Sequence, residues 1–571
     1  MSDPTILPVP DSHGVNRFAD DPQFNALLGV YLGDALHKHV LPILDDLGSR
    51  VGGVLDDLAH AADQNPPSLS HRTRSGEERQ TVHKHPAYQA LEKAAFSELG
   101  LATMSHTPGV LGWPEAMDPQ VKYALTYLFV QAEFGLLCPV NMTDSLTRTL
   151  TTFGSAELVA QFFPHLTTTD FDELYQGAMF ITEQGAGSDV GQLLTTATDA
   201  GDGTWRLSGS KWFCSNPDAD LAMVLARPAG AQAGIRGLGL FLLPRLLEDG
   251  APNSYRIVRL KDKLGSRSMA SGEIELDGAT AYLVGDINRG FAQMADMINS
   301  SRLSNGVRAA GMMRRAFAEA RYVALNRGAF GEQIINLPLM RRQLVKMLVP
   351  TEQARSMYMH IAHLFPRADA GDESARQLIR ILTPLIKFRA TRDNRKVTGD
   401  GMEVRGGVGY IEEFGDARMV RDAHLGSIWE GTSNIVALDV ARAAKRTAAL
   451  DVLLGYLSAL VAEAGPAQTQ SWQELIDQAG AQMRLATKAE NEWQTREGAT
   501  ALYNVASAVF MLWEAAKMGE DQTRRALAGF VVRHRLLPHD PLNPVQDDDD
   551  LVTKLLMGEP VAPSLADRAA P

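Results

Sequence analysis

Cysteine is nearly absent: Cys138 and Cys214 are the only two in 571 residues. Two cysteines make neither a disulfide framework nor a cysteine-based zinc cluster, and no other metal-ligand spacing stands out. A reducing compartment, the cytoplasm, is the expectation. Long apolar runs are missing too, since none reaches the ~18 to 20 residues of a membrane helix. Met1-Ser2-Asp3-Pro4-Thr5 has neither the basic start nor the apolar stretch of an export signal. Positive charge is in deficit: 55 Lys and Arg against 68 Asp and Glu leave −13. That balance argues against a broad nucleic-acid footprint and leaves a local basic patch open. No Gly-x-Gly-x-x-Gly follows a strand and opens a helix, so a Rossmann dinucleotide site is not supported. Internal repeats are also absent.

What is present is a globular composition, 45% hydrophobic and 22% charged, long enough for three or four domains. Residues 1–175 read as mostly helical: Leu27, Leu28, Tyr31, Leu32 and Leu36 recur at helical spacing, as do apolar residues in 41–58. The polar stretch 63–85 reads as a loop, and 123–137 as apolar helix. Short apolar runs at 178–182, 221–226, 238–243, 255–260 and 273–276 punctuate residues 176–285. Residues 205–213 look like strand, turn, strand. This spacing predicts a small antiparallel β domain. Residues 286–445 return to helix, with long amphipathic runs at 301–326 and 339–364. Residues 446–571 are an Ala- and Leu-rich helical extension with an acidic loop, Asp547-Asp548-Asp549-Asp550, a last short helix, and a Pro/Ala tail expected to lack fixed structure.

Five motifs carry chemistry. The first is Ser427-Ile428-Trp429-Glu430-Gly431-Thr432-Ser433-Asn434, a carboxylate beside an aromatic ring on a Gly-flanked turn, where an acid can act as a positioned base. Taken alone, a Glu before Gly is more often a solvated helix end. Upstream, Arg405-Gly406-Gly407-Val408-Gly409 lets backbone approach a ligand closely. The second is Thr182-Glu183-Gln184-Gly185-Ala186-Gly187-Ser188-Asp189, a turn able to aim N–H groups and hydroxyls at a heterocycle or phosphate. The third is Lys211-Trp212-Phe213-Cys214-Ser215; Cys214 has no base near it in sequence and reads as a packed core thiol. The fourth is Arg327-Gly328-Ala329-Phe330, whose arginine suits a diphosphate through its planar fork. The fifth is Lys263-Leu264-Gly265-Ser266-Arg267-Ser268 with the strand that follows it.

Taken in their order along the chain, the five resemble the acyl-CoA dehydrogenase family over roughly residues 175 to 445. The resemblance implies a helical N-terminal domain (1–175), a β-barrel-like middle domain (176–285) and a four-helix-bundle domain (286–445), with the extension (446–571) added. It implies FAD as hydride acceptor, since no side chain accepts hydride, and Glu430 as base for the α proton of an acyl-CoA thioester. Donors to the thioester oxygen would be the Glu430 N–H and a ribityl hydroxyl. By the same resemblance Thr182, Ser188, Trp212, Phe213, Ser215, Ile428, Thr432 and Asn434 contact FAD. Gly406 and Gly407 contact FAD as well, and Arg327 and Phe330 reach the adenosine diphosphate half of a neighbouring subunit's FAD. Ser188, Cys138, Met142, Trp429 and Gly431 line the substrate. Pro338 stands where the family has a Gln, a departure on the adenine side. Some branches carry the base as a Glu before Arg on a long helix; that pair here is Ser301-Arg302, which is consistent with the base at Glu430 that the resemblance implies.

Trp before the Glu, Leu137-Cys138-Pro139 with Met142-Thr143, the Asn65-Pro66-Pro67 loop and the extension resemble the AidB-like branch, known for an alkylation-response flavoprotein. Dehydrogenation with electron-transfer flavoprotein as oxidant and a homotetramer is the reading this implies. The alternative is a DNA-binding flavoprotein with vestigial dehydrogenation. Arg524, Arg525, Arg533 and Arg535 cluster on one predicted helix, yet ten Lys and Arg against seventeen Asp and Glu give −7 from residue 447 onward, against a phosphate-neutralising face. A nitroalkane-type oxidase shares the fold but uses Asp where this chain has Glu430.

Overall fold

The computed structural model describes residues 9–465, 469–538, 541–542 and 546–569. Met1 to Thr5, read above for an export signal, lie outside them. By spatial contact the chain divides into two compact units: residues 55–122 with 132–304, and residues 1–54 with 123–131 and 305–571.

Three helices come first, α1 (Pro22–Tyr31), α2 (Asp34–Gly52) and α3 (Val54–Gln64). Asp21 caps α1 by accepting the Phe24 N–H at 3.3 Å, with Pro22 in the first turn where a missing N–H costs nothing. The stretch predicted as a loop holds a hairpin, β1 (Ser68–Arg72) against β2 (Glu78–His83), turned at Gly76 with φ +91°. Its strands carry a single apolar pair, Leu69 opposite Val82, too little for an alternation to mark them. Next come α4 (Pro86–Glu92), α5 (Pro119–Phe129), α6 (Leu137–Phe153) and α7 (Ala156–Leu166). The helix predicted over 123–137 therefore breaks after Phe129. Glu133 accepts the N–H groups of Gly135 and Leu136 at 2.7 and 3.1 Å and the Ser268 hydroxyl at 2.9 Å, a local alternative to helical bonding.

Seven strands follow: β3 (Gly177–Phe180), β4 (Thr196–Asp199), β5 (Trp205–Ser215), β6 (Leu221–Pro228), β7 (Gly239–Pro244), β8 (Tyr255–Leu260) and β9 (Ser271–Leu283). Pairings run β6–β4–β5–β9–β7 and back to β6, which closes a barrel-like ring; β3 adds to β6 and β8 to β9. The sheet is mixed rather than antiparallel, because β3 and β4 both run parallel to β6. Leu207, Val224, Phe241 and Ile274 fill its core. β5 is one bulged strand where strand, turn, strand was expected. Gly209, at φ +143°, lets it pass Thr195, whose Cα would lie 2.8 Å from an added Cβ.

The helical unit takes the C-terminal part of α8 (Gly290–Asn326), a two-residue hairpin of β10 (Gly328–Ala329) and β11 (Glu332–Gln333), then α9 (Pro338–Asp369), α10 (Glu373–Arg405), α11 (Gly415–Gly426) and α12 (Ser433–Arg446). The extension supplies α13 (Ala449–Ala464), α14 (Thr469–Ala486), α15 (Thr495–Lys517), α16 (Thr523–Val531), α17 (Asp549–Met557) and α18 (Pro563–Ala566). α15 is buried all round from Leu502 to Leu512 and packs on α9, α10, α12 and α13. A helix apolar on every side belongs to a core, so the extension shares the bundle's core.

Two expectations for the extension are corrected. Half of the acidic loop is helix: Asp548 caps α17 through the Leu551 N–H at 3.0 Å, and Asp549 and Asp550 sit in its first turn, where the helix dipole favours them. The tail is ordered through residue 569. Gln522 N–H donates to Val561 O at 2.9 Å, and Val561, Ala566 and Ala569 are buried. Ala570 and Pro571 lie outside the described residues. Among the described residues no single helix is long and apolar enough to cross a membrane.

Candidate active site

Glu430 lies between α11 and α12 with φ +54°, a left-handed conformation that costs a non-glycine residue about 1–3 kcal/mol. Its neighbours hold it there. Trp429 donates its indole N–H to Asn305 Oδ1 at 2.5 Å, and the Arg308 guanidinium lies 4.8 Å from the Trp429 ring centroid. Lys387, fully buried, donates to Gly431 O at 2.5 Å. Gly431 takes φ +96°, and α12 begins after Thr432. Glu430 and Trp429 are half-buried, whereas Ile428, Thr432 and Asn434 are exposed. Asn305, Arg308 and Lys387 were not singled out in the sequence. Asn305 and Arg308 share one face of α8 at a spacing of three, a signal too common to read without the turn it supports.

Elsewhere in the same unit, Arg327 and the glycine pair come together. Arg327 Nη1 donates to Arg405 O at 3.2 Å, and a Cβ on Gly406 would stand 3.2 Å from that nitrogen. Arg327, Arg405, Gly407, Val408 and Ile411 border a cavity of about 500 Å³. Arg405 is fixed from behind by Glu319 at 2.8 Å and Asp416 at 2.5 Å. Phe330 is at the tip of the β10–β11 hairpin, φ +56° and 94% exposed, followed by Gly331 at φ +89°. Two successive positive φ values are what a two-residue hairpin turn demands.

The sheet-bearing unit holds the second and third motifs, and it joins them. Trp212 N–H donates to Thr182 O at 2.8 Å. Lys211 is buried and donates to Glu183 Oε1 at 2.9 Å and Leu225 O at 2.8 Å. Burial would raise the Glu183 carboxyl, but Lys211, the Thr195 hydroxyl and the Leu194 N–H outweigh it and hold it below the ordinary range. This ion pair pins the turn to the strand, a role not assigned from sequence although both residues were in the motifs. Ser188 and Phe213 are exposed, Thr182, Trp212 and Ser215 half-buried. Lys261 Nζ is 3.4 Å from the Trp212 ring centroid and 4.9 Å from that of Phe213. Cys138 and Met142 are buried on α6. Cys214 is buried and burial pushes its thiol far up, which suits a core thiol rather than a nucleophile.

These surroundings fit FAD. No hydrogen bond from the Thr182, Ser188 or Ser215 side chain to another described residue is found, which leaves three hydroxyls for ring heteroatoms beside an exposed aromatic. The glycine cradle at Arg327 has the donor chemistry of a phosphate site.

The four C-terminal arginines are occupied. Arg524 is buried between Glu514, at 2.9 Å, and Glu352. Arg525 pairs with Asp567 at 2.6 Å, Arg533 with Asp547 at 3.4 Å and Arg535 with Asp393 at 2.9 Å.

Comparison with known proteins agrees with the geometry. A model of the acyl-CoA dehydrogenase middle domain matches residues 178–279, and one of the acyl-CoA dehydrogenase C-terminal domain residues 288–445. The adaptive response protein AidB N-terminal domain matches residues 8–173. The chain is 33% identical over 441 residues to acyl-CoA dehydrogenase family member 11 of Caenorhabditis elegans, covering 75% of this chain and 70% of that protein. It is 34% identical over 423 residues to the putative acyl-CoA dehydrogenase AidB of Escherichia coli K12, covering 72% and 75%. The crystal structure of C. elegans ACDH-11 in complex with C11-CoA matches with a TM-score of 0.86 at 27% identity over 95% of each chain. With its β barrel, its helical bundle and its N-terminal domain all accounted for, the chain belongs to the acyl-CoA dehydrogenase family of oxidoreductases, in the AidB-like branch.

Proposed function

We propose that the protein oxidises an acyl-CoA thioester between its α and β carbons, with Glu430 as the base. The observation that carries this is Glu430 itself: a carboxylate held at φ +54° by partners on both sides of it, at the position where the family resemblance places the base. Strain kept in place by surrounding structure is typical of residues that act on a ligand. Glu430 takes the α proton. Its own N–H donates to the thioester oxygen as negative charge develops there. The Trp429 ring keeps water from the carboxylate, and Cys138, Met142, Ser188 and Gly431 line the substrate.

FAD, when bound, supplies the acceptor for the β hydride. Thr182, Ser188, Trp212, Phe213, Ser215, Ile428, Thr432 and Asn434 hold it. Arg327 and Phe330 hold the adenosine diphosphate end of a neighbouring subunit's FAD, and Gly406 and Gly407 belong to the same cradle, since Arg327 lies against Gly406. The exposure of Phe330 supports that assignment, since an aromatic on a strained tip is well placed to be covered by a second copy. A homotetramer in the cytoplasm with electron-transfer flavoprotein as oxidant completes the reading. The DNA-binding alternative draws no support from Arg524, Arg525, Arg533 and Arg535, because each is neutralised by a carboxylate.

The test is anaerobic titration of the purified yellow protein with acyl-CoAs of varied length and branching. Bleaching of the flavin band near ~450 nm, the absorbance lost when FAD accepts the hydride, by at least one of them is expected. Tight FAD with no bleaching by any acyl-CoA overturns the dehydrogenase reading.

A further inference from the structure

Three arginines surround the turn that carries Glu430. Arg395 Nη1 donates to Ser427 Oγ at 3.4 Å, Arg392 Nη1 to Ser433 Oγ at 3.5 Å and Arg496 Nη1 to Asn434 Oδ1 at 3.4 Å. All three bonds are long for N–H···O, and all three acceptors are neutral. Among the described residues none of these arginines forms an ion pair. Asp393, next to Arg392 in the chain, is already shared by Arg389 at 2.5 Å and Arg535 at 2.9 Å.

The arrangement is unfavourable as it stands. Burial, then Arg496, Arg389 and Arg395, all work against the charge on Arg392, which an arginine side chain does not give up. Arg496 adds to the problem from the first turn of α15, where the helix dipole already favours negative charge. Elsewhere in this unit buried arginines meet carboxylates, as Arg405, Arg355 and Arg524 do. At the two ends of this eight-residue turn, which holds the proposed base, Arg392, Arg395 and Arg496 meet neutral acceptors instead.

An anion is the missing partner. Arginine forks match phosphate oxygens in a bidentate way. The thioester group itself is uncharged, whereas the nucleotide parts of both FAD and an acyl-CoA always carry phosphate, the anion that arginine forks match best. Arg392 and Arg496 are half-buried and only Arg395 is exposed, which suits a compact group entering a recess rather than a duplex lying on a face. We infer that Arg392, Arg395 and Arg496 form a seat for a nucleotide phosphate, either the diphosphate of FAD or a phosphate of coenzyme A. The inference rests on the proposed function and adds three residues to it, one of them from the extension.

The experiment compares the holoprotein with the triple variant Arg392→Gln, Arg395→Gln, Arg496→Gln and with the matching triple Lys variant. FAD release is followed by flavin fluorescence on dilution. Binding of coenzyme A and of dephospho-coenzyme A is followed by perturbation of the flavin spectrum. Loss of several charge-assisted bonds is expected to speed FAD release, or to weaken coenzyme A binding, by at least about tenfold in the Gln variant. The Lys variant is expected to fall between it and the wild type. Faster FAD release alone assigns the seat to the FAD diphosphate. Weaker coenzyme A binding alone assigns it to coenzyme A, and an unchanged preference over dephospho-coenzyme A then places the diphosphate rather than the 3′-phosphate there. Removing mutually repelling charges is not expected to lower the melting temperature of the flavin-free protein. Unchanged FAD release and coenzyme A binding overturn the inference. So does a melting temperature lowered equally in the Gln and Lys variants, which marks a structural role, and so does an effect on duplex DNA binding alone. A wild-type protein that takes up no FAD is a failure of the proposed function instead.

Discussion

Trp429 donates its indole N–H to Asn305 Oδ1 at 2.5 Å, tying the residue before Glu430 to α8. The bond holds the side chain of the residue joined directly to Glu430, at the point where the backbone turns left-handed. Trp429→Phe keeps most of the ring and removes the donor. It is expected to slow flavin reduction about fivefold, in line with the ~1 kcal/mol of a typical hydrogen bond, while FAD content stays unchanged. Stopped-flow reduction of the variant checks this, and a wild-type rate would show that the bond does not position the base.

Glu430→Gln retains shape and loses basicity. FAD and acyl-CoA binding are expected to persist, with flavin reduction slower by more than about a thousandfold, in the range seen when a positioned base is removed. Reduction within a few-fold of wild type would move the base to another residue.

Glu319 accepts from Arg17 at 2.9 Å, Arg315 at 2.7 Å, Arg405 at 2.8 Å and the Ser12 hydroxyl at 2.5 Å. Burial would raise its carboxyl, but these partners hold it at about 2, against 4.5 for an ordinary glutamate. A pKa depressed on folding means stability that is complete above pH 4.5 and lost as the pH falls from 4.5 towards 2. The shift corresponds to about 3 kcal/mol. Glu319→Gln is therefore expected to be less stable at neutral pH by at least that amount, with a flatter loss of stability across the acid range. Urea denaturation at a series of pH values reads both, and an unchanged acid slope would count against the account.

Arg524 is wholly buried, with Glu514 at 2.9 Å and Glu352 as partners; the Tyr31 hydroxyl also donates to Glu514, at 2.8 Å. Arg524→Ala leaves two buried carboxylates short of a counter-charge. A cost of about 3–5 kcal/mol is expected, with the catalytic rate per folded molecule unchanged. Thermal denaturation beside an activity assay separates the two, and a loss of less than ~1 kcal/mol, the size of an exposed pair, would show the network to be dispensable.

Much of the helical unit was legible because its signal is local. The long runs in 301–326 and 339–364 fall inside α8 and α9, and periodicity over several turns needs no partner to be read. Most strands of the barrel were also visible as short apolar runs. The direction of β3 and β4 was not, because parallel or antiparallel pairing depends on connections that leave the same alternation in the chain. The β1–β2 hairpin escaped for the opposite reason, having only the Leu69–Val82 pair to mark an apolar face.

Residue order by itself determined the motifs: the Glu430 turn, the Thr182–Ser188 turn, the Trp212 strand and the Arg327–Phe330 pair, since each is a run of neighbours along the chain. Tertiary structure alone decided what holds and charges them. Asn305, Arg308 and Lys387 lie between 43 and 125 positions from the Glu430 turn, and Arg496 lies 62 beyond Asn434. Whether an arginine is neutralised, as Arg524 is by Glu514, or left facing a serine, as Arg392 is, depends on groups within a few ångströms in space. Coulomb and hydrogen-bond energies fall off with that distance, and separation along the chain does not report it.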